Sequence, residues 1–414
     1  RHYLCCEQEV NRESGGIIAP PFLRWSKYDF GGLRLKIVDV KVQSFKYISK
    51  ISRDSDGHSH PGPEHEATQS ILTVVSDQGS EGHSFGIDAG IAHRVLRPIL
   101  IGEDPFNREK IWNALKESKR INRDLLDQHI SVADMALWDL AGNHLGQPVY
   151  KLLGGFRDKV QAYASTMCGD EEVGGLSTPE EYGRFAEVCV ERGYKAIKLH
   201  TWMPPISWAP DPKMDIKACA AVREAVGDQI KLMLDPFHFY SREDALYIGK
   251  ELEKLKFHWL EEPMDEHSIS SYVWLTGQLD INILGPETAE GSLYTRAEWI
   301  ARNACDILRG GVGDVGGITP LIKVAHLAEA FGMAMEVHGG GTGNLQVLGA
   351  MAIPGELYER GLLHPLLDYE EPEPWLNAKI DPMDHEGYVH LSGMPGIGHD
   401  INFDYIQANL VNVS

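Results

Sequence analysis

The chain has 414 residues, 43 % of them hydrophobic, which is enough for about two or three domains and a large core. Its 39 basic and 60 acidic residues leave a net charge of −21, a field that repels nucleic acid and anionic membranes. An anionic substrate stays allowed, because a metal and a few lysines reverse the potential inside one cleft. No apolar run approaches the roughly 18 residues of a membrane span, and no apolar leader core precedes a small-residue cleavage site. Cys5, Cys6, Cys168, Cys189, Cys219 and Cys305 show neither CxxC nor paired spacing. The expectation is a cytoplasmic protein with reduced thiols.

The first thirty or so residues carry no clear period, and no function is assigned to them. From Leu33 to Gln78 the alternation in LRLKIVDVKVQSFKYI and SILTVV predicts strands of a small antiparallel sheet, with SRDSDGHSHPGPEHEA between them read as a polar loop. Helical patterns follow. In DQHISVADMALWDLAGNHLG, Ile130, Ala133, Leu137 and Leu140 keep a three-to-four-residue period, and Gly142 ends the stripe. Residues 33–154 thus read as an α+β domain. Beyond Gly154 short apolar runs alternate with longer amphipathic ones, and VQAYAS, KAIKLH, IKLMLD, FHWLE, INILGPE, CDILR, AMEVH and ELYER predict eight strands. Eight strands separated by helices make a (β/α)8 barrel over residues 155–365. The Pro- and Asp-rich tail, 366–414, is expected to pack back on the first domain.

Asp235, Glu261 and Glu287 each end a predicted strand, at two equal intervals of 26 residues. In a barrel such ends gather at one mouth, where hard carboxylate oxygens suit Mg²⁺; an isolated acid at such a place is otherwise a helix cap or a surface pair. In YKAIKLH, Ala196, Lys198 and His200 share one face, so Lys198 and His200 point into the mouth. A lysine there serves as a base if desolvation lowers its pKa, or binds a carboxylate if it stays charged. His338 ends AMEVH on the opposite side, so that it and Lys198 flank one carbon of a bound substrate.

These residues, together with WLEEP at the fourth strand, GGIT after the sixth and the long helix before the barrel, resemble the enolase superfamily, mandelate racemase subgroup, from about Leu33 to Tyr405. The resemblance implies a capping domain over an enolase-type barrel, one Mg²⁺ on Asp235, Glu261 and Glu287, and removal of the proton α to a substrate carboxylate. It also implies that Glu359 of the eighth strand donates a hydrogen bond to the enediolate, the alternative being a surface pair with Arg360. An oligomer is expected on the same ground.

Two departures stand out. The second lysine of the usual strand-two pair is His200 here. The aspartate that usually orients the strand-seven histidine falls on Gly311, with Asp306 and Asp314 out of register, so His338 is expected to lack that partner and to act as an acid. The expectation is therefore a Mg²⁺-dependent dehydratase of a hydroxylated carboxylate, a sugar acid, giving a 2-keto-3-deoxy acid. Lys198 or His200 would take the proton and His338 would protonate the departing hydroxyl. The alternatives are a racemase or epimerase on the same scaffold and a non-catalytic oligomeric scaffold. Three weaker signals remain: Gly311, Gly313 and Gly316 spell GxGxxG but more simply mark a tight loop; His58, His60 and His65 read as a substrate-contacting cap loop rather than a zinc site; His238 reads as an extra acid or a loop residue.

Overall fold

The computed structural model describes residues 35–54, 58–353, 355 and 357–413. The first thirty residues and Cys5 and Cys6 lie outside the described residues. From Leu35 onward the chain forms one compact unit.

The cap is built on β1 (Ile37–Arg53), β2 (Ser59–Ser76) and β3 (Glu81–Phe85), all antiparallel neighbours. Inward residues of the pleat, such as Val40, Val42, Leu72 and Val74, pack against Ile130, Ala133, Leu137 and Leu140 of the helix Asp127–Leu145. The polar loop expected between the strands is instead the distal part of this hairpin. Arg53 pairs with Ser59, Ser52 with His60, and Ile51 with Pro61, and the register slips between Ser49 and Ile51 where Pro63 is accommodated. Composition misleads there because the hairpin extends past the core: with few apolar neighbours to bury, its strands carry polar side chains while the backbone still pairs. Gly142 is also not the end of the long helix, which runs on to Leu145 and stops at Gly146 in the left-handed conformation (φ 63°). Gly142 is small for another reason: a Cβ there would stand 2.6 Å from Gly396 of the tail.

The eight expected barrel strands all form: β4 (Lys159–Thr166), β5 (Ala196–His200), β6 (Lys231–Asp235), β7 (Trp259–Glu261), β8 (Asn282–Gly285), β9 (Ile307–Gly310), β10 (Ala334–Val337) and β11 (Leu357–Leu363). They are parallel and hydrogen-bonded in chain order from β4 to β10, with β11 beside β4. A hydrogen bond from Gly355 N–H to Met335 O ties the approach to β11 against β10. Helices between the strands start on side-chain caps, Thr178, Asp211 and Ser241, the first two followed by proline at the first helical position. In the tail, β12 (Tyr388–His390) adds antiparallel to β4, and β13 (Leu410–Val413) adds antiparallel to β1. Trp375, Leu376 and Ile406 of the tail pack on Phe45 and Ile71 of the cap sheet.

The long helix and the GGIT segment meet at one joint between cap and barrel. Asp134 of the long helix accepts hydrogen bonds from Thr319 N–H (2.9 Å) and Thr319 Oγ1 (2.6 Å), and Trp138 Nε1 donates to the same hydroxyl (3.0 Å). Gly317 sits against this carboxylate at φ 122°, where a Cβ would stand 2.4 Å from Asp134 Oδ2. Asp139, further along the helix, accepts from His83 N–H of β3 and from Ile397 N–H of the tail, each at 2.8 Å. Among the described residues no helix is long and apolar enough to cross a membrane.

Candidate active site

Alternation along the barrel strands sorts the site by height. Tyr163, Ala196, Met233, Trp259, Leu284, Ile307 and Leu357, one from each of seven strands, pack together as an apolar floor inside the barrel. Two residues further along the same strands, on the same face, stand Ser165, Lys198, Asp235, Glu261, Arg309 and Glu359. All six are buried. Glu287 joins them from just beyond β8, its backbone N–H held by Glu266 Oε1 at 2.5 Å.

Ligand oxygens of Asp235, Glu261 and Glu287 lie within 4.8 Å of one another, the one such cluster of metal-ligating groups among the described residues. Lys198 Nζ donates to Asp235 Oδ2 (3.1 Å) and Glu261 Oε1 (3.1 Å) and pairs with Glu359 Oε1 (2.9 Å). Burial disfavours its charge, but Glu261 and Glu359 outweigh that and raise its pKa well above the usual lysine value. Glu261 moves for a different reason: burial pushes its carboxyl up to about 8 against the opposing pull of Arg309 and Lys198. Buried and oxygen-only, the three acids fit a hard divalent cation such as Mg²⁺.

His200 stands at the Asp235 end of the cluster, with Nε2 3.0 Å from Asp235 Oδ2. Its Nδ1 is 2.5 Å from Thr166 O, so both ring nitrogens face acceptors: a proton on Nδ1 serves the carbonyl and a proton on Nε2 serves the Asp235 carboxylate. Phe237 stacks on the ring at 4.5 Å. At the other end His338 Nε2 lies 3.0 Å from Glu287 Oε1.

His338 does have an orienting carboxylate, and the expectation that it lacks one is overturned: Asp314 Oδ2 lies 2.8 Å from His338 Nδ1. Counting back to Gly311 finds no acid, because the short helix Val312–Val315 returns Asp314 over Gly311, whose N–H also donates to Asp314 Oδ2 at 2.6 Å. A side chain at 311 would not fit, since a Cβ there would be 2.3 Å from His338 O. Burial opposes charge on His338, yet Asp314 and Glu287 outweigh it and raise its pKa well above the ordinary histidine value. Gly311 and, at φ 91°, Gly316 of the GxGxxG run thus shape this turn.

Glu359 is not a surface pair with Arg360. It faces inward, accepting from Ser165 Oγ (2.8 Å) and Gly339 N–H (2.7 Å), whereas Arg360 faces the other way, onto Glu370 and Tyr194. His58 and His60, at the end of the cap hairpin, both bond Asp54 Oδ2, at 3.1 and 2.9 Å, and His58 lies 4.7 Å from the Phe237 ring. His65 is exposed and bonds Pro63 O, so the three histidines do not converge. His238, in the turn after β6, packs against Phe239. Two site residues escape a reading of the sequence: Asp314, which has no linear signal, and Arg309, which the alternation of CDILR places on the face of Ile307. The four described cysteines, Cys168, Cys189, Cys219 and Cys305, are free and buried.

A barrel that gathers three carboxylates between two histidines at its strand ends is built for metal-assisted acid–base chemistry. Family models place it further: the enolase C-terminal domain-like model matches residues 181–405, and the mandelate racemase / muconate lactonizing enzyme N-terminal domain model matches residues 61–154. The chain belongs to the mandelate racemase subgroup of the enolase superfamily. It is 56 % identical to D-glucarate dehydratase from Agrobacterium tumefaciens, whose crystal structure is complexed with magnesium; the match covers 91 % of this chain and 99 % of that one with a TM-score of 0.90. It is 31 % identical to L-talarate/galactarate dehydratase of Salmonella typhimurium over 80 % of each chain. To arabinonate dehydratase of Saccharolobus solfataricus it is 32 % identical over 74 % of this chain and 79 % of that enzyme.

Proposed function

We propose that this protein is a Mg²⁺-dependent dehydratase of a sugar acid, converting it to a 2-keto-3-deoxy acid. The observation that carries the reading is the placement of two imidazoles at opposite ends of the acid cluster, His200 on Asp235 and His338 on Glu287. Asp235, Glu261 and Glu287 would hold the ion, which supplies stabilisation for the second negative charge that appears when a carbon next to a carboxylate loses its proton. The protein's own groups do the rest. His200 takes the α-proton at Nε2 once that nitrogen has given up the proton it shares with Asp235, Nδ1 staying anchored on Thr166. Lys198, paired with Asp235, Glu261 and Glu359 on the same side of the cluster, is the second candidate for that step. His338, whose proton is held by two carboxylates, delivers it from Nε2 to the 3-hydroxyl; the C–O bond breaks, water departs, and the enol becomes the keto acid. Glu359 accepts from Lys198 and Arg309, so a donor role toward the enediolate requires it to pick up a proton, which its lowered pKa disfavours: burial alone would raise it, but Lys198 and Arg309 prevail.

In this reading residues 33–154 cap the barrel of 155–365, the tail 366–414 completes the cap, and the enzyme works in the cytoplasm as a homo-oligomer. Aldonic and aldaric acids screened with Mg²⁺ for keto-acid formation test the activity. One or more acids should lose water; a full panel showing α-deuterium exchange without dehydration would turn the assignment to an epimerase.

A further inference from the structure

The strand-six guanidinium is the part of the mouth that no motif announced. Arg309 is fully buried, one layer above the apolar floor. It spans the barrel: NH2 is 2.6 Å from Glu261 Oε1 and 2.8 Å from Glu359 Oε2, and Nε is 3.3 Å from Glu287 Oε2. The rest of the fork is fixed by Tyr163 Oη (3.3 Å) and Val337 O (3.1 Å). Two of the three candidate metal ligands therefore share one rigid partner, while the third, Asp235, is held by Lys198 and His200.

We propose that Arg309 is a positioning residue of the metal centre: its planar fork sets the separation of Glu261 and Glu287 and so fits the acid cluster to a small divalent cation. The proposal rests on the reading that these acids hold Mg²⁺. The guanidinium meets these three carboxylates from two nitrogens of one rigid plane, whereas a lysine at 309 would meet them from a single point. A simple electrostatic view predicts the reverse of the positioning view, since deleting a cation beside the ligands should strengthen the binding of another cation.

Chelator-treated full-length protein titrated with Mn²⁺, followed by calorimetry and by the EPR signal of the free ion, decides between them. Wild type should bind one Mn²⁺; if it binds none, the function proposed above fails independently of Arg309. Arg309→Met should weaken Mn²⁺ at least tenfold despite losing a positive charge, and Arg309→Lys, which keeps the charge and loses the fork, should weaken it similarly while folding cooperatively. Tighter binding in Arg309→Met, or wild-type affinity in Arg309→Lys, overturns the proposal. If Arg309→Met does not fold, the lysine variant alone decides the matter, because unchanged affinity there leaves the fork without a role in the metal site.

Discussion

His338 keeps its proton because Asp314 accepts at Nδ1 and Glu287 lies at Nε2, and that makes it suited to protonate a leaving hydroxyl. Asp314→Asn removes one of the two charges that stabilise the imidazolium. The His338 pKa should then fall toward the ordinary range, the protonated form should persist only to lower pH, and the alkaline limb of kcat should move to lower pH with a loss of roughly 10²-fold at neutral pH. A pH profile unchanged in shape would remove Asp314 from the reaction. The two histidines also separate the steps: His338→Asn should stop dehydration while α-proton exchange into deuterated water continues, whereas His200→Asn should suppress both. Exchange that survives in His200→Asn but vanishes in His338→Asn would reverse the direction of proton transfer. At this scale Lys198, His200 and the three acids are legible in the sequence because each lies at or near the end of a strand with a clear period. Asp314 is not, since a one-turn helix delivers it and linear distance says nothing of that turn.

The helix Asp127–Leu145 carries two buried acids that join it to other elements, Asp134 to the barrel loop at Thr319 and Asp139 to β3 and the tail. Burial, opposed by those hydrogen bonds, pushes each carboxyl up to about 6. With ordinary values near 3.8 in the unfolded chain, the folded state binds more protons between about pH 4 and 6. Stability contributed by each acid should thus fall as pH rises through that window, by something on the order of 2–3 kcal/mol. Thermal melts of Asp134→Asn and Asp139→Asn across pH 4 to 7 should show a flatter slope than wild type; parallel curves would contradict the assignment. The helix itself is evident from its apolar stripe. Its partners are not, because the glycines that seat against it, Gly317 and Gly396, look in sequence like ordinary loop residues.

Taken whole, the three candidate ligands come from successive strand ends, so a cation held by them is bound only by the folded chain. Mg²⁺ should therefore raise the melting temperature of chelator-treated protein in a concentration-dependent way, with about 2.7 kcal/mol gained at a hundredfold excess over Kd, and should restore the lost turnover. A melting temperature indifferent to Mg²⁺ would mean that the acids do not form a metal site. The eight-strand order is readable because each strand–helix unit repeats the same switch of period. The cap hairpin reads wrongly as a loop because backbone pairing in its polar outer half leaves no apolar alternation to follow.

The seven-residue floor has a consequence for traffic. Packed apolar side chains from Tyr163 to Leu357 close the barrel beneath the charged layer, so a substrate reaches that layer from the strand ends above it. In a dehydration, the water split from the substrate must leave past the keto acid or after it, by the route the substrate took in.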